Sequence, residues 1–195
     1  MQKLHALRST TPRSNKGQPH PLRKRRGQRG QALVEFAVLA SVLFLILAGA
    51  VDLGTLLDNH LGIAYATRQA ARIGAQEDQN PGADCSILGA IFAATQNLSL
   101  VTVTRIIIYQ ADANGNSTGN QQVYTGNPGC PTPPNPPVGS LLSGTWPASA
   151  RADSPPNEDS IGVEIDYSYS WQTGFISAGT FQATDRTVMK LNPVF

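Results

Sequence analysis

Residues 36–51, FAVLASVLFLILAGAV, constrain this chain most: the run is unbroken, and only Ser41 is even mildly polar. At 1.5 Å per residue a helix over it is about 24 Å long, and continued to Leu57 it passes the roughly 30 Å thickness of a bilayer's hydrocarbon. The preceding residues say which way such a helix would insert. Residues 1–30 carry nine of the fifteen basic residues (Lys3, Arg8, Arg13, Lys16, Arg23, Lys24, Arg25, Arg26 and Arg29) and no acid. Arginines are held on the cytoplasmic side, so everything after the run is expected outside. From Gln31 onward six basic residues face all thirteen acidic ones, a net of −7. An acidic body with its positive charge in a separate leader is a poor nucleic-acid binder, because phosphates are neutralised by basic groups spread over a folded face.

The rest of the chain divides by composition. Residues 1–30 are polar and rich in Gly, Pro and Ser, without apolar periodicity, and are expected to be a disordered leader. Residues 31–57 read as the transmembrane helix and 58–80 as its amphipathic extension. Leu53, Leu56, Leu57, Leu61 and Ala64 follow the helical period, while Asp58, Gly62, Tyr65, Gln69, Arg72 and Gln76 lie along another face. Asn80, Pro81 and Gly82 end the helix. Residues 81–195 form the extracytoplasmic domain. Residues 84–97 read as a short helix, 98–109 as a strand, 114–116 as a turn, 121–125 as a weak partner strand and 126–137 as a proline-rich loop. Residues 161–171 alternate strictly, with Ile161, Val163, Ile165, Tyr167, Tyr169 and Trp171 on one face, and 179–191 make a last strand. No helical crossover separates the strands. The fold expected is therefore α+β: a long N-terminal transmembrane and amphipathic helix followed by a small antiparallel sheet.

The inventory for catalysis is thin. His5, His20 and His60 are the only histidines, and no His, Cys, Asp or Glu cluster has metal-ligand spacing. No nucleophile elbow, phosphate-binding glycine loop or paired-cysteine redox motif occurs. Asp153, Glu158 and Asp159 fit no calcium-loop spacing and read as a solvated turn. Neither an enzyme, a cofactor, a metal nor a small-molecule substrate is expected. Tyr167, Tyr169 and Trp171 read as core. Asp52, about 33 Å along the helix from Gly30, reads as a solvated residue at the head groups, with subunit packing as the alternative. Gly49 and Gly54 lack the spacing of a helix-dimerisation motif. Cys85 and Cys130 follow the apolar run; outside the cytoplasm a disulfide between them would close about 45 residues and add on the order of 4 kcal/mol, the alternative being two unpaired small hydrophobes.

Residues 25–36, RRGQRGQALVEF, carry the most information. Gly30 has no side chain and would let a membrane-embedded peptidase close on the backbone. Glu35 lies at the inner edge of the run, where a carboxylate facing lipid costs up to about 3 kcal/mol. Cutting after Gly30 would create an ammonium at Gln31, about 6–7 Å along the helix. Such a cation on a neighbouring subunit could neutralise Glu35 during packing; the plainer reading is that Glu35 reaches water among the head groups.

Gly30, Gln31, Glu35 and Phe36, followed by the apolar run, resemble the class III prepilin processing motif. The longer stretch RGQALVEFAVLASVLFLILAGAVDLGTLLDNHLGIAYATRQAARIGAQ is similar to TadE-like proteins of the tight-adherence (Flp) pilus system. It includes Asp52 and Gly54, then Ala70, Ala71, Arg72, Gly74 and Ala75. The closing FQATDRTVMKLNP also resembles the last strand of such proteins. The chain departs from many of them in having Thr55, Leu56, Leu57 and Asp58 where a basic residue soon follows the acid and Gly. The resemblance implies a pilin-like fold and a pseudopilin or minor pilin in the bacterial cytoplasmic membrane, with the leader 1–30 removed by cleavage between Gly30 and Gln31. Its partners would be a prepilin peptidase, other pilins or pseudopilins and the pilus secretion apparatus. Two rivals stand beside it. Ala48, Gly49 and Ala50 fit a signal-peptidase site that would release a soluble binding module, and an uncleaved helix would anchor a surface adhesin domain.

Overall fold

The computed structural model describes residues 28–77, 79–126, 141–154, 156–173 and 179–191. Most of the expected leader and almost all of the proline-rich loop lie outside these. The elements are helix α1 (Gln28–Glu77), helix α2 (Ala83–Thr95), strands β1 (Val101–Ala111), β2 (Ser117–Thr125) and β3 (Leu141–Gly144), a 3₁₀ turn (Ala148–Ala150), and strands β4 (Ser160–Ser170) and β5 (Thr180–Lys190). A long apolar N-terminal helix followed by a five-stranded antiparallel sheet is the α+β fold expected from the sequence. The chain forms two compact units, Met1–Leu43 and Phe44–Phe195.

In the first unit the described residues are helical, and Leu33, Val34, Phe36, Val38, Leu39, Val42 and Leu43 are all exposed. Among the described residues one helix is long and apolar enough to cross a membrane, and none of its most apolar 18-residue window is buried.

In the second unit the sheet order is β3-β2-β1-β4-β5. β1 and β2 form a hairpin around Asp112, whose Oδ1 accepts the N–H groups of Asn114 and Asn116, both at 2.8 Å, while Gly115 takes the positive φ of +82° that the turn needs. Strict alternation in β4 turns Ile161, Val163, Ile165, Tyr167 and Tyr169 to the buried face, as expected. That face joins Ile106 and Ile108 of β1, Tyr124 of β2, and Ile87, Leu88 and Ile91 of α2 in one core with α1. Each large side chain so buried contributes about 1.5–3 kcal/mol.

The part of α1 that enters this core is not its leucine face. Leu53, Leu57 and Leu61 are 58–60% exposed, whereas Ile63, Ala66, Ala70 and Ala71 are fully buried and Ala75 nearly so. The leucine period does mark one side of the helix, but small residues let a helix backbone come close to a sheet, and leucines would hold it off. Gly74 shows how tight the approach is: a Cβ there would lie 2.7 Å from Ile161 Cδ1 and 2.9 Å from Ile87 Cδ1. α1 ends at Glu77, and Asn80 closes the turn behind it: it donates its N–H to Glu77 O at 3.0 Å and accepts the Gly82 N–H on its side chain at 3.0 Å.

β3 and the 3₁₀ turn had no sequence signal. β3 is four residues long and exposed throughout, so its LLSG has no alternation to read. Beneath that edge lies a buried polar group. Arg151, wholly inaccessible on its side chain, forms an ion pair with Asp84 and stacks 4.9 Å above the Trp146 ring, while Tyr124 donates its hydroxyl to Asp84 at 2.6 Å. Burial and the neighbouring Asp84 carboxylate push the Tyr124 phenol far above its usual range.

Candidate functional site

Gly30, Gln31, Glu35 and Phe36 all lie on α1, which begins two residues before Gly30. Gly30 is exposed, with nothing within 4 Å of where a Cβ would be. Gln31 Nε2 donates to Glu35 Oε1 at 3.1 Å, one turn away, on an exposed surface. Phe36 beside it is 69% exposed. Glu35 shares a shallow, mostly apolar hollow with Val34, Val38 and Leu39. The carboxylate therefore has one neutral neighbour and an apolar surround. In water that arrangement costs little; against lipid or an apolar helix it calls for a counter-charge.

Further along α1, polar side chains on the sheet-facing side fasten the helix to the domain. Asp52 is fully buried, not solvated as its place beside the apolar run suggested, because the Thr173 N–H (3.0 Å) and the Thr173 hydroxyl both donate to its carboxylate. One turn on, Thr55 Oγ1 and the Tyr169 hydroxyl lie 2.9 Å apart in a hydrogen bond. His60 Nδ1 and the Tyr167 hydroxyl make another at 2.9 Å. Thr67 donates to Asp185 of β5 at 2.6 Å and to its own helix at Ile63 O. Asn59, also buried, donates to Thr55 O at 2.7 Å. Burial, and then the Asp185 carboxylate, raise the Tyr167 phenol above its usual range.

The seam explains two tyrosines expected only as core. Tyr167 and Tyr169 bury their rings and use their hydroxyls to hold α1. Trp171 is half-buried and meets the Tyr169 ring edge-on at 5.5 Å. A signal was available in the sequence: Asp52, Thr55 and Asn59 recur at helical spacing opposite the leucines.

This seam and the exposed apolar helix before it occupy the stretch that a known family shares. Residues 30–72 match the family model described as TadE-like protein. No curated protein and no solved structure matches the chain. The TadE-like match takes in Gly30, Glu35, the apolar run, Asp52, Thr55 and Thr67, and it ends at Arg72, before the sheet begins. It supports a part in tight-adherence pilus assembly and a membrane-associated N-terminal helix.

Of the remaining candidates, Cys85 is 99% buried and disulfide-bonded. Cys130, its expected partner, lies outside the described residues. Glu158 forms an ion pair with Lys190 at 2.9 Å, and Asp159 accepts from Gln110 and from the Ala152 N–H, both at 2.7 Å. Among the described residues no group of three or more His, Cys, Asp or Glu side chains is placed to hold a metal ion.

Proposed function

We propose that this chain is a pseudopilin or minor pilin acting in assembly of a tight-adherence (Flp, type IVb-like) pilus. Residues 31–57 hold it in the bacterial cytoplasmic membrane, with the N-terminus cytoplasmic and residues 81–195 outside. The observation that carries this reading is the TadE-like match over a helix whose apolar side chains are exposed on every side until Val51. An apolar surface of that extent stays folded only when lipid or another chain covers it.

In this reading a prepilin peptidase cuts between Gly30 and Gln31. That bond lies in the first turn of α1, where four backbone N–H groups have no intrahelical partner, so unwinding it for cleavage breaks few hydrogen bonds. The new ammonium at Gln31 then serves as counter-charge to Glu35 of a neighbouring subunit, linking processing to packing. The other partners are pilins or pseudopilins and the secretion apparatus of the pilus.

The test is the N-terminal residue of the mature protein and the fraction that holds it. Gln31 in membranes is expected. Val51 in soluble material would make the chain a secreted module, and Met1 or Gln2 in membranes an uncleaved surface anchor. Glu35→Ala is expected to leave insertion intact and impair assembly; unchanged assembly would remove the charge-pairing role.

A further inference from the structure

Where the sheet covers one side of α1, the opposite side stays apolar. Leu53, Leu57 and Leu61 follow each other at four-residue spacing, each 58–60% exposed, and Tyr65 continues the row at 64%. Arg68 and Arg72, also exposed, come next on the same side. At 100° per residue these six positions fall within about 120° of arc, opposite the buried Asn59, Ile63 and Ala70. Leu53 and Leu57 border an apolar groove of about 490 Å³ completed by Leu56, His60, Tyr167, Phe181 and Ala183, with Phe181 of β5 itself 49% exposed.

We infer that this face of the second unit lies on the lipid bilayer: Leu53, Leu57, Leu61 and Phe181 enter the acyl region, Tyr65 sits at the interface, and Arg68 and Arg72 meet lipid phosphates. Two observations choose lipid over a protein occupant. The face continues the exposed apolar surface of Ile46, Leu47 and Val51 without a break, along the same helix. Its residue types also change along the axis in the order of bilayer depth, from aliphatic to aromatic to basic, which is the order in which hydrocarbon, interface and phosphate are met. Asp58, exposed, falls on one flank of the arc, where it keeps contact with water or head groups, and His60 on the other flank lines the groove with its Nδ1 held by the Tyr167 hydroxyl at 2.9 Å.

The inference rests on the reading of residues 36–51 as a membrane span, and the experiment separates the two. A benzophenone photo-crosslinker is placed in the full-length chain as Phe44→benzoylphenylalanine, Leu57→benzoylphenylalanine, Leu61→benzoylphenylalanine or Ser143→benzoylphenylalanine. The protein is reconstituted into phosphatidylcholine–phosphatidylglycerol vesicles. Lipid adducts are expected at 44, 57 and 61 and not at 143. Adducts at 44 and 57 without one at 61 would overturn the docking face and leave the span standing, and adducts at 44 alone would overturn the docking face and end the span short of Leu57. A protein–protein adduct at 57 or 61 in place of lipid would assign the face to another chain and overturn the inference. No lipid adduct even at 44 would overturn the span and this inference with it. Arg68→Gln with Arg72→Gln is expected to lower the lipid adduct at 61 in vesicles containing phosphatidylglycerol and not in phosphatidylcholine alone; no change would remove the phosphate contact.

Discussion

The carboxylate of Asp52 accepts two hydrogen bonds from Thr173, one from its backbone N–H at 3.0 Å and one from its hydroxyl. The two residues are 121 positions apart in the chain. Asp52 therefore ties the helix, just past its apolar run, to the segment that follows β4. Asp52→Ala removes the acceptor of both hydrogen bonds from half-buried Thr173, and hydrogen bonds to a charged group are worth roughly 1.5–3 kcal/mol each. A loss of about 2–4 kcal/mol is expected in chemical unfolding of the detergent-solubilised protein. Asp52→Asn, which keeps one acceptor oxygen, is expected to lose less than Asp52→Ala.

The inverted faces of α1 predict opposite responses to size. Ala70→Leu forces three carbons into a fully buried position and is expected to cost about 1–3 kcal/mol. Leu57→Ala, on the exposed side, is expected to change the stability of the detergent-solubilised protein by less than about 0.5 kcal/mol. Thermal unfolding of the two variants side by side checks the assignment. A Leu57→Ala loss as large as that of Ala70→Leu would mean the wrong face had been placed in the core.

Breaking the buried ion pair should be costly from one side and cheaper from both. Arg151→Met leaves Asp84 buried without a counter-charge, which typically costs about 3–5 kcal/mol. Combining it with Asp84→Asn removes the unpaired charge and keeps an acceptor for the Tyr124 hydroxyl, so the double variant is expected to be more stable than Arg151→Met alone. A double-mutant cycle in guanidinium measures the difference.

Glu164 should make stability fall as pH rises. Burial raises its pKa above the usual 4.5, the nearby Asp166 carboxylate adds to the shift, and Arg186 and Arg105 only partly oppose it. A carboxyl with a raised folded-state pKa holds its proton longer in the native state than in the unfolded one. Its effect is thus most favourable below 4.5 and is lost as pH climbs through the raised value. Glu164→Gln is expected to flatten that part of the stability–pH curve; an unchanged slope would show that Glu164 is not its source.

Peptide mapping without reductant is expected to recover Cys85 linked to Cys130. Reduction should then lower stability by about 4 kcal/mol on the loop-entropy model.

The long helix, the turn at Asn80 that follows it and the strand β4 were readable because each has an unbroken periodicity or a strong stop: an apolar run of sixteen residues broken only by Ser41, an Asn-Pro-Gly, alternating Ile, Val and Tyr. What covers a helix face is not written in its own period. Leu53, Leu57 and Leu61 look like core in isolation, and only the close approach at Gly74, Ala70 and Ala71 shows that the sheet takes the opposite side. The polar seam was hidden for a related reason. Each bond that ties α1 to the rest of the domain reaches a residue more than a hundred positions away, from Tyr167 to Asp185, and spacing within one element cannot show such a partner.

The sheet order sets a schedule for how this domain comes together. β1, which carries Ile106, Ile107, Ile108 and Tyr109, pairs with β2 at once through a five-residue turn, but its other edge belongs to β4. Ribosomal synthesis delivers β4 only some fifty residues later. Through that interval the most aliphatic strand of the protein stands with one flank bare, open to pairing with the same strand of another newly made copy. Cells making this protein therefore face their greatest risk of clumping before residue 170 emerges, and a chaperone that shields a β edge would be of most use to them then.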